Sequence, residues 1–275
     1  MVKTFIPTST ILQKYVEVFY VFKKDIPERF SYIAFPHTNT AVSFFKGVKI
    51  IRKNLEVIIQ SETIEENNYS IEILGKYTSP VFVHYNGAFE EIAIVFKPFG
   101  ISQFIGCNLI DIAPKFSQSL NIEPWNVFSE QLFNEEDEKN RIDLIEYFLL
   151  ANFNEIENKN ISKALNYLED INIDYTVEQI ADTLAMNTKT FQRLFLKHIT
   201  CSAIEYKRIA RFRQSLNSML LTEGIQSLTR VAYDNNYYDQ SYFIREYKKL
   251  TLLNPKKFFD TISVMEENKI IWKIK

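Results

Sequence analysis

The most constraining feature of this sequence is a pattern that occurs twice in its second half: a short helix, a tight turn and a second helix. Such a pair needs a small residue where its two helices cross closely. Ala181 and Ala232 occupy that place, 51 residues apart. The predicted helices span 177–185 and 188–199 in the first pair, and 226–235 and 240–251 in the second. Two matching pairs indicate a helical domain made of two helix-turn-helix units.

Local signals predict the ends and the buried faces of these helices. Thr176 and Gln179 form a capping box, and Asn187 and Asp239 can cap the second helix of each unit. The buried faces of the second helices are Phe191, Leu194 and Phe195, and Tyr242, Phe243 and Tyr247. Further helices are predicted from 161, over 202–221 and over 255–262. The helical domain is therefore expected to span 160–263.

The outer faces of the same helices are polar and basic. Residues 188–258 hold 13 basic and 5 acidic side chains, a net charge of +8, whereas the whole chain carries −2. A basic block inside an acidic protein favours a polyanionic partner. Side chains of these types can contact the base edges and phosphates of DNA. The candidates are Lys189, Gln192, Arg193 and Lys197 in the first unit, and Gln240, Ser241, Arg245 and Lys248 in the second.

Over residues 160–262 the sequence resembles the DNA-binding domain of the AraC/XylS family of transcription regulators. In the second unit the matching residues are Val231-Ala232, Asn236-Tyr237, Asp239, Ser241, Phe243, Arg245, Tyr247-Lys248-Lys249 and Asn254-Pro255. In the first unit and the connecting helix they are Ile180-Ala181, Phe191, Arg193, Phe195, Tyr206 and Arg211. The family usually has glycine at three turn positions, which are Thr200, Asn236 and Leu252 here. Asparagine tolerates positive φ, but threonine and leucine are strained there, so the sequence leaves open whether the turns at Thr200 and Leu252 are left-handed.

The resemblance implies a sequence-specific DNA-binding transcription regulator, with double-stranded DNA as its partner and RNA polymerase as a further one. It also implies that the two recognition helices enter successive major grooves on one face of DNA. The expected base contacts are Lys189, Gln192 and Arg193 from the first unit, and Gln240, Ser241 and Arg245 from the second. Instead of contacting DNA, Arg211 could form a buried salt bridge that holds the domain together.

Residues 1–155 show a different pattern, rich in Val, Ile, Phe and Tyr. Asn86-Gly87 is typical of a hairpin with a two-residue type I′ turn. Short strands at this spacing favour a barrel or a sandwich. The predicted strands span 15–22, 41–46, 55–60, 81–86 and 89–97. The expected fold is α+β and multidomain: a β-rich, cupin-like barrel or sandwich domain, followed by an all-α domain with the two helix-turn-helix units.

The N-terminal domain is expected to control the second one. Family members often bind a small effector in such a domain or dimerise through it, and the resemblance implies the same here. A helix predicted over 139–153 carries an apolar stripe that either forms a homodimer or packs against its own chain. Residues 264–275 form a tail to which the sequence assigns no role.

Two other classes of protein compete with this interpretation. The first is a cupin-type metal-binding or enzymatic domain fused to a DNA-binding module, with His37, His84, Glu90 and Glu91 as the available ligands. No His-x-His occurs, so we expect no metal, no cofactor and no enzyme. The second is an interaction protein whose basic helices bind another protein.

Composition excludes several further classes. The chain has only 6 Gly and neither GxGxxG nor GxxxxGK[ST], which gives no support to nucleotide-binding loops. Cys107 and Cys201 are too few for a thiolate metal site and are expected to be reduced. No apolar signal core and no run of 18 apolar residues occur. A soluble, cytoplasmic protein is therefore expected.

Overall fold

The computed structural model describes residues 2–26, 28–62, 68–170, 172–221, 227–265 and 270–274. The strands are β1 (Val2–Phe5), β2 (Val16–Lys24), β3 (Arg29–Ala34), β4 (Thr40–Lys46), β5 (Val48–Lys53), β6 (Glu56–Ser61), β7 (Tyr69–Leu74), β8 (Val81–Asn86), β9 (Phe89–Phe96), β10 (Gln118–Ser119), β11 (Ser263–Met265) and β12 (Ile270–Ile274). The helices are α1 (Leu12–Tyr15), α2 (Leu109–Ile112), α3 (Glu123–Asn134), α4 (Glu138–Ala151), α5 (Lys159–Glu169), α6 (Val177–Thr183), α7 (Thr188–Ile199), α8 (Ala203–Leu221), α9 (Leu228–Asp234), α10 (Gln240–Thr251) and α11 (Pro255–Phe259), with a 3-10 turn at Ile101–Gln103. The expected β-rich part followed by an all-α part is confirmed.

Two six-stranded sheets face each other in the N-terminal part. Sheet A has the order β1-β2-β9-β4-β7-β10, and sheet B has the order β11-β12-β3-β8-β6-β5. Alternate side chains of a strand point to opposite faces. In β2, Phe19 and Val21 therefore pack into the core under α3 and α4. Tyr20 and Phe22 point the other way, into the core between the two sheets.

The hairpin predicted at Asn86-Gly87 is wrong. The two strands that flank this turn lie in different sheets, since β8 pairs with β3 and β6, while β9 pairs with β2 and β4. The turn still needs glycine, because Gly87 has φ +102 and a Cβ there would lie 2.5 Å from the Cβ of Ser61. The Asn-Gly pair thus carries the chain from one sheet to the other.

The helix predicted over 139–153 is α4, and its apolar stripe packs against its own chain. Ile142, Ile145, Phe148 and Leu149 are buried in the core on the outer face of sheet A. Glu146 also faces inward, where its carboxylate accepts hydrogen bonds from Thr8 and Ser9. Of the two alternatives for this stripe, the structure therefore favours packing within the chain, and a dimer would need another surface.

The C-terminal tail joins the N-terminal sheet. β11 and β12 form an antiparallel pair, and β12 lies antiparallel to β3 with Trp272 opposite Ala34 and Ile274 opposite Tyr32. The chain therefore passes through the helical domain and returns to complete sheet B. Among the described helices, none has both the length and the apolar character needed to cross a bilayer.

The helical domain packs closely against the N-terminal part at both of its units. Phe99 lies in the core of the first unit, and Phe35 lies in the core of the second, 4.9 Å from Phe258 between ring centroids. Arg213 of α8 donates hydrogen bonds to the carbonyl oxygens of Pro36 and Phe35, each at 2.7 Å. Burial lowers the pKa of Arg213 to about 10. The two parts thus share apolar cores and partly buried hydrogen bonds.

Candidate DNA-binding surface

The first helix-turn-helix unit consists of α6 and α7, and local capping sets its geometry. Thr176 and Gln179 form the expected capping box at the start of α6, with hydrogen bonds of 3.2 and 2.8 Å. The side chain of Asn187 accepts a hydrogen bond from the backbone of Thr190 and so caps α7. Ala181 is fully buried where the two helices cross. Because these caps satisfy free backbone N–H groups, the helices begin at defined residues.

The second unit, α9 and α10, repeats this arrangement. Ser227 caps α9, and the carboxylate of Asp239 caps α10 by accepting a hydrogen bond from the backbone of Tyr242 at 2.6 Å. Ala232 is buried at the crossing point. The turn of this unit is one residue longer, and it contains Tyr238, whose side chain is 92% exposed. The two units therefore match in their helices and differ in their turns.

Four turn positions in the described part of this domain use left-handed backbone without glycine, and one of them is Ala185, with φ +52. The φ angles of Thr200, Asn236 and Leu252 are +65, +53 and +61. Asparagine tolerates this region, whereas a β-branched or bulky residue is strained there. Thr200 and Leu252 directly follow α7 and α10, where a left-handed residue ends many helices. These turns thus adopt left-handed backbone without glycine, and Thr200 and Leu252 bear the conformational cost.

Replacing Thr200 or Leu252 by glycine is expected to raise the free energy of unfolding by about 0.5–1 kcal/mol. Each change relieves about 1–2 kcal/mol of left-handed strain and loses about 0.5–1 kcal/mol to the greater freedom of glycine in the unfolded chain. Urea denaturation measures the difference. Lys163→Gly, at an exposed position inside α5, is the control and should lower stability by about 1 kcal/mol. Lower stability in both turn variants would contradict the argument.

The structure exposes every side chain expected to contact DNA and buries the opposite face of each helix. Phe191 and Phe195 of α7, and Phe243 and Tyr247 of α10, are fully buried. Leu194 and Tyr242, also expected inside, are partly buried. The exposed candidates are Lys189, Gln192, Arg193, Lys197, Gln240, Ser241, Arg245 and Lys248. Each recognition helix thus presents a largely polar exposed face, which Leu196, 45% exposed, interrupts in α7.

The long helix α8 holds the two units together through charged side chains. Arg211 lies 2.6 Å from Asp174 and stacks on the ring of Tyr237, 5.7 Å from its centroid. Burial would raise the pKa of Asp174, but hydrogen bonds and charges from Lys207 and Arg211 lower it overall. The Arg211 side chain is 17% exposed and that of Asp174 is 59% exposed. Of the two alternatives for Arg211, the structure therefore favours the salt bridge that holds the domain together. The ion pair of Arg211 with Asp174 is half-buried.

One contact that sequence reasoning missed joins the two helices of the second unit. Thr229 of α9 donates a hydrogen bond from its hydroxyl to the side-chain carbonyl of Gln240, at 3.1 Å. Threonine at an exposed helix position gives no distinctive signal in a sequence. The contact depends on how α9 and α10 cross, which a pattern along one helix does not give.

The four residues considered as metal ligands do not come together. His84 forms a hydrogen bond with Ser31, and His37 lies near Arg213 at the domain interface. Glu90 pairs with Arg141 of α4 at 2.5 Å. Within the described part of the chain, no group of three His, Cys, Asp or Glu side chains is arranged to hold a metal ion. The geometry therefore gives no support to a cupin-type metal centre.

A buried carboxylate lies beside a cavity between the two sheets. The cavity measures about 50 Å³, and Glu91 lines it. The carboxylate of Glu91 accepts hydrogen bonds from Tyr20 at 2.7 Å, Ser43 at 2.6 Å and Tyr85 at 2.6 Å. Burial raises the pKa of Glu91, although these hydrogen bonds oppose the shift. An adjoining cavity of about 130 Å³ extends to Arg213 of α8.

Two family models match this chain. One, described as "Helix-turn-helix domain", matches residues 180–261. The other, described as "Domain of unknown function (DUF6597)", matches residues 4–116. The first covers the second helix-turn-helix unit and the first unit from Ile180 onward, and the second covers most of the two sheets.

Similar proteins include a regulator and two solved structures. An uncharacterized HTH-type transcriptional regulator of Haemophilus influenzae is 24% identical over 110 residues, which are 40% of this chain and 36% of that protein. The chain thus matches about a third of the length of this relative. The crystal structure of ToxT from Vibrio cholerae O395 is 15% identical, with a TM-score of 0.44 over 87% of this chain and 95% of that chain. A DNA-binding transcriptional dual regulator from Escherichia coli K-12 is 19% identical, with a TM-score of 0.33 over 39% of this chain and 95% of that chain.

Proposed function

We propose that this chain, whose C-terminal domain is a helix-turn-helix domain of the AraC/XylS type, regulates transcription by binding duplex DNA at specific sites. The observation that carries this proposal is the pair of capped recognition helices, each with a buried aromatic face and an exposed polar face. Residues at the start of a recognition helix contact base edges in the major groove. Further along, basic residues contact phosphates, which hold the protein in register on the duplex.

The eight candidate residues divide by chemistry between these two tasks. Arg193 and Arg245 can each form two hydrogen bonds with one guanine, and amides can also contact base edges. Lys197 and Lys248 lie later in their helices and are suited to phosphate contact. The ion pairs of α8 fix one unit relative to the other. We infer that the two units bind one duplex together.

The full chain is expected to bind duplex DNA with a steep dependence on salt. With about six phosphate contacts, affinity should fall roughly a thousandfold between 50 and 200 mM salt, because bound counterions are released. The measurement is a titration of a fluorescent duplex at several salt concentrations. Lys248→Ala should reduce the salt slope by about one. Lys53→Ala, at an exposed position on β5 of the N-terminal sheet, should leave the slope unchanged.

A flat salt response would contradict the proposal and favour the rival in which the basic helices bind a protein. The full chain is the right object for this test, because β12 and Phe258 attach the helical domain to the N-terminal part. A fragment from 160 onward would lose both contacts.

We infer further that the N-terminal domain controls DNA binding through a small effector. Two adjoining cavities support this, and the larger one is lined by Tyr20 and Tyr32 of the sheets and by Arg213 of α8. An occupant would thus contact both domains. The cavities are smaller than pockets for drug-sized ligands, about 300–1,000 Å³, so the effector would be small. A ligand at 100 times its Kd should stabilise the full chain by about 2.7 kcal/mol, measurable as a rise in Tm across a panel of small sugars, amino acids and carboxylic acids. No response from the panel would count against it.

Control by dimerisation and contact with RNA polymerase stay proposals of the same kind. With the apolar stripe of α4 buried, a homodimer would use other surfaces of the chain. Sedimentation of the full chain with and without duplex would measure its stoichiometry, and a monomer under both conditions would exclude the dimer.

A further inference from the structure

The hydrogen bond between Thr229 and Gln240 determines which way one candidate base-reading side chain faces. Gln240 is the first residue of α10, directly after the cap Asp239. Thr229 lies in α9, near its start at Ser227. The atoms 3.1 Å apart are the Thr229 hydroxyl oxygen and the Gln240 carbonyl oxygen Oε1. Since a carbonyl oxygen cannot donate, the hydroxyl is the donor.

This contact leaves the amide nitrogen of Gln240 as the group available to a partner. A glutamine side chain has one acceptor oxygen and an NH₂ group with two donors. In Gln240 the oxygen is held toward α9. Within the described part of the chain, no hydrogen bond occupies Nε2. Both donors can therefore point outward from the start of the recognition helix.

The usual contact of glutamine with adenine needs both ends of the amide. The NH₂ group donates to adenine N7, while the carbonyl oxygen accepts from the adenine amino group at N6. A side chain that presents only donors would bring its NH₂ group against that amino group. Guanine shows two acceptors in the major groove, N7 and O6, and suits the donors of one NH₂ group.

We propose that Thr229 determines base preference by holding Gln240 as a donor, so that Gln240 selects guanine over adenine. Thr229 is thus a positioning residue that acts through Gln240 and does not itself contact a base. This inference rests on the proposed function, because it assumes that α10 reads base edges. The first unit has no corresponding pair among the described residues: α7 begins with Thr188 in place of Gln240.

The test is selection of duplexes from a random library by the full chain, followed by titration of duplexes that differ at one base pair. Gln240→Ala identifies the base pair that Gln240 reads, since preference should vanish there alone. Wild type and Thr229→Ser, which keeps the hydroxyl, should both prefer guanine at that position. Thr229→Val, which keeps the shape and loses the hydroxyl, should shift the preference toward adenine. The guanine-to-adenine ratio should change by at least about fivefold, the lower end of what one paired base contact discriminates.

Thr183→Val is the matched control. Thr183 ends α6, the first helix of the other unit, and its hydroxyl donates to the backbone oxygen of Gln179. It should leave base preference unchanged, and an unchanged Tm should confirm that every variant is folded.

Two results would overturn the inference alone. One is the same base preference in wild type and Thr229→Val, and the other is no loss of preference at any position in Gln240→Ala. Both would leave sequence-specific binding intact. If wild type selects no duplex from the library, the proposed function fails, and the inference fails with it.

Discussion

Replacing Arg193 or Arg245 by alanine is expected to cost about 1–3 kcal/mol of binding free energy on a cognate duplex and much less on a scrambled one. Each arginine is exposed on its recognition helix, opposite the buried aromatic residues. A guanidinium there can form two hydrogen bonds with guanine O6 and N7. The loss should therefore be specific to sequence. Titration of each variant on both duplexes measures it.

Lys197→Ala is the matched control for Arg193. Lys197 lies one turn further along α7 and is also exposed. A lysine at this place mostly contacts phosphate, so its loss should weaken binding to both duplexes about equally. If Arg193→Ala loses the same amount on both duplexes, Arg193 holds a phosphate, and base reading by the first unit is wrong.

Replacing Phe258 by alanine is expected to lower the free energy of unfolding by about 3–5 kcal/mol, the range for large aromatic residues in a packed core. Phe258 is fully buried, and its ring lies 4.9 Å from Phe35, 6.1 Å from Phe212 and 5.7 Å from Tyr247 between centroids. These neighbours come from the N-terminal part, the connecting helix and the second recognition helix. The resulting cavity would thus weaken the contact between the two parts.

Urea denaturation, followed by far-ultraviolet circular dichroism and by tryptophan fluorescence, measures this effect. In a Trp272→Phe background the remaining tryptophan, Trp125, reports on the core under α3, far along the chain from Phe258. If the two parts share a core, the unfolding midpoints of both signals should shift together to a lower urea concentration. Tyr233→Ala, on α9 with its side chain 82% exposed, should change stability by less than about 0.5 kcal/mol. If the tryptophan signal of Phe258→Ala stays at its wild-type midpoint, the two parts unfold independently.

Helices of the second half could be predicted from sequence because their limits are set locally. α7 and α10 begin and end at the predicted residues, since Asn187 and Asp239 cap them by side-chain hydrogen bonds. The faces were equally predictable, because burial at a spacing of three or four residues is a property of one helix. The same reasoning did not predict the contact of Thr229 with Gln240, which depends on two helices crossing.

Strand pairing was harder to predict because it depends on residues far apart in the chain. The five predicted strands correspond to β2, β4, β6, β8 and β9, but the one pairing that the pattern indicated, β8 with β9 through Asn86-Gly87, does not form. Asn86-Gly87 has the chemistry of a hairpin turn, and the two sheets nevertheless separate the strands on either side of it. The mixed sequence of β3 was not predicted as a strand, and neither was its partner β12.

The pairing of β3 with β12 has a consequence for how the protein is made. β12 leaves the ribosome roughly 240 residues after β3, and between them lies the entire helical domain. At a synthesis rate of about 5–20 residues per second, the edge of β3 stays unpaired for at least about ten seconds. An open strand edge is a template for pairing with another chain. The nascent N-terminal half should therefore depend on chaperones during translation, whereas the finished chain closes that edge itself.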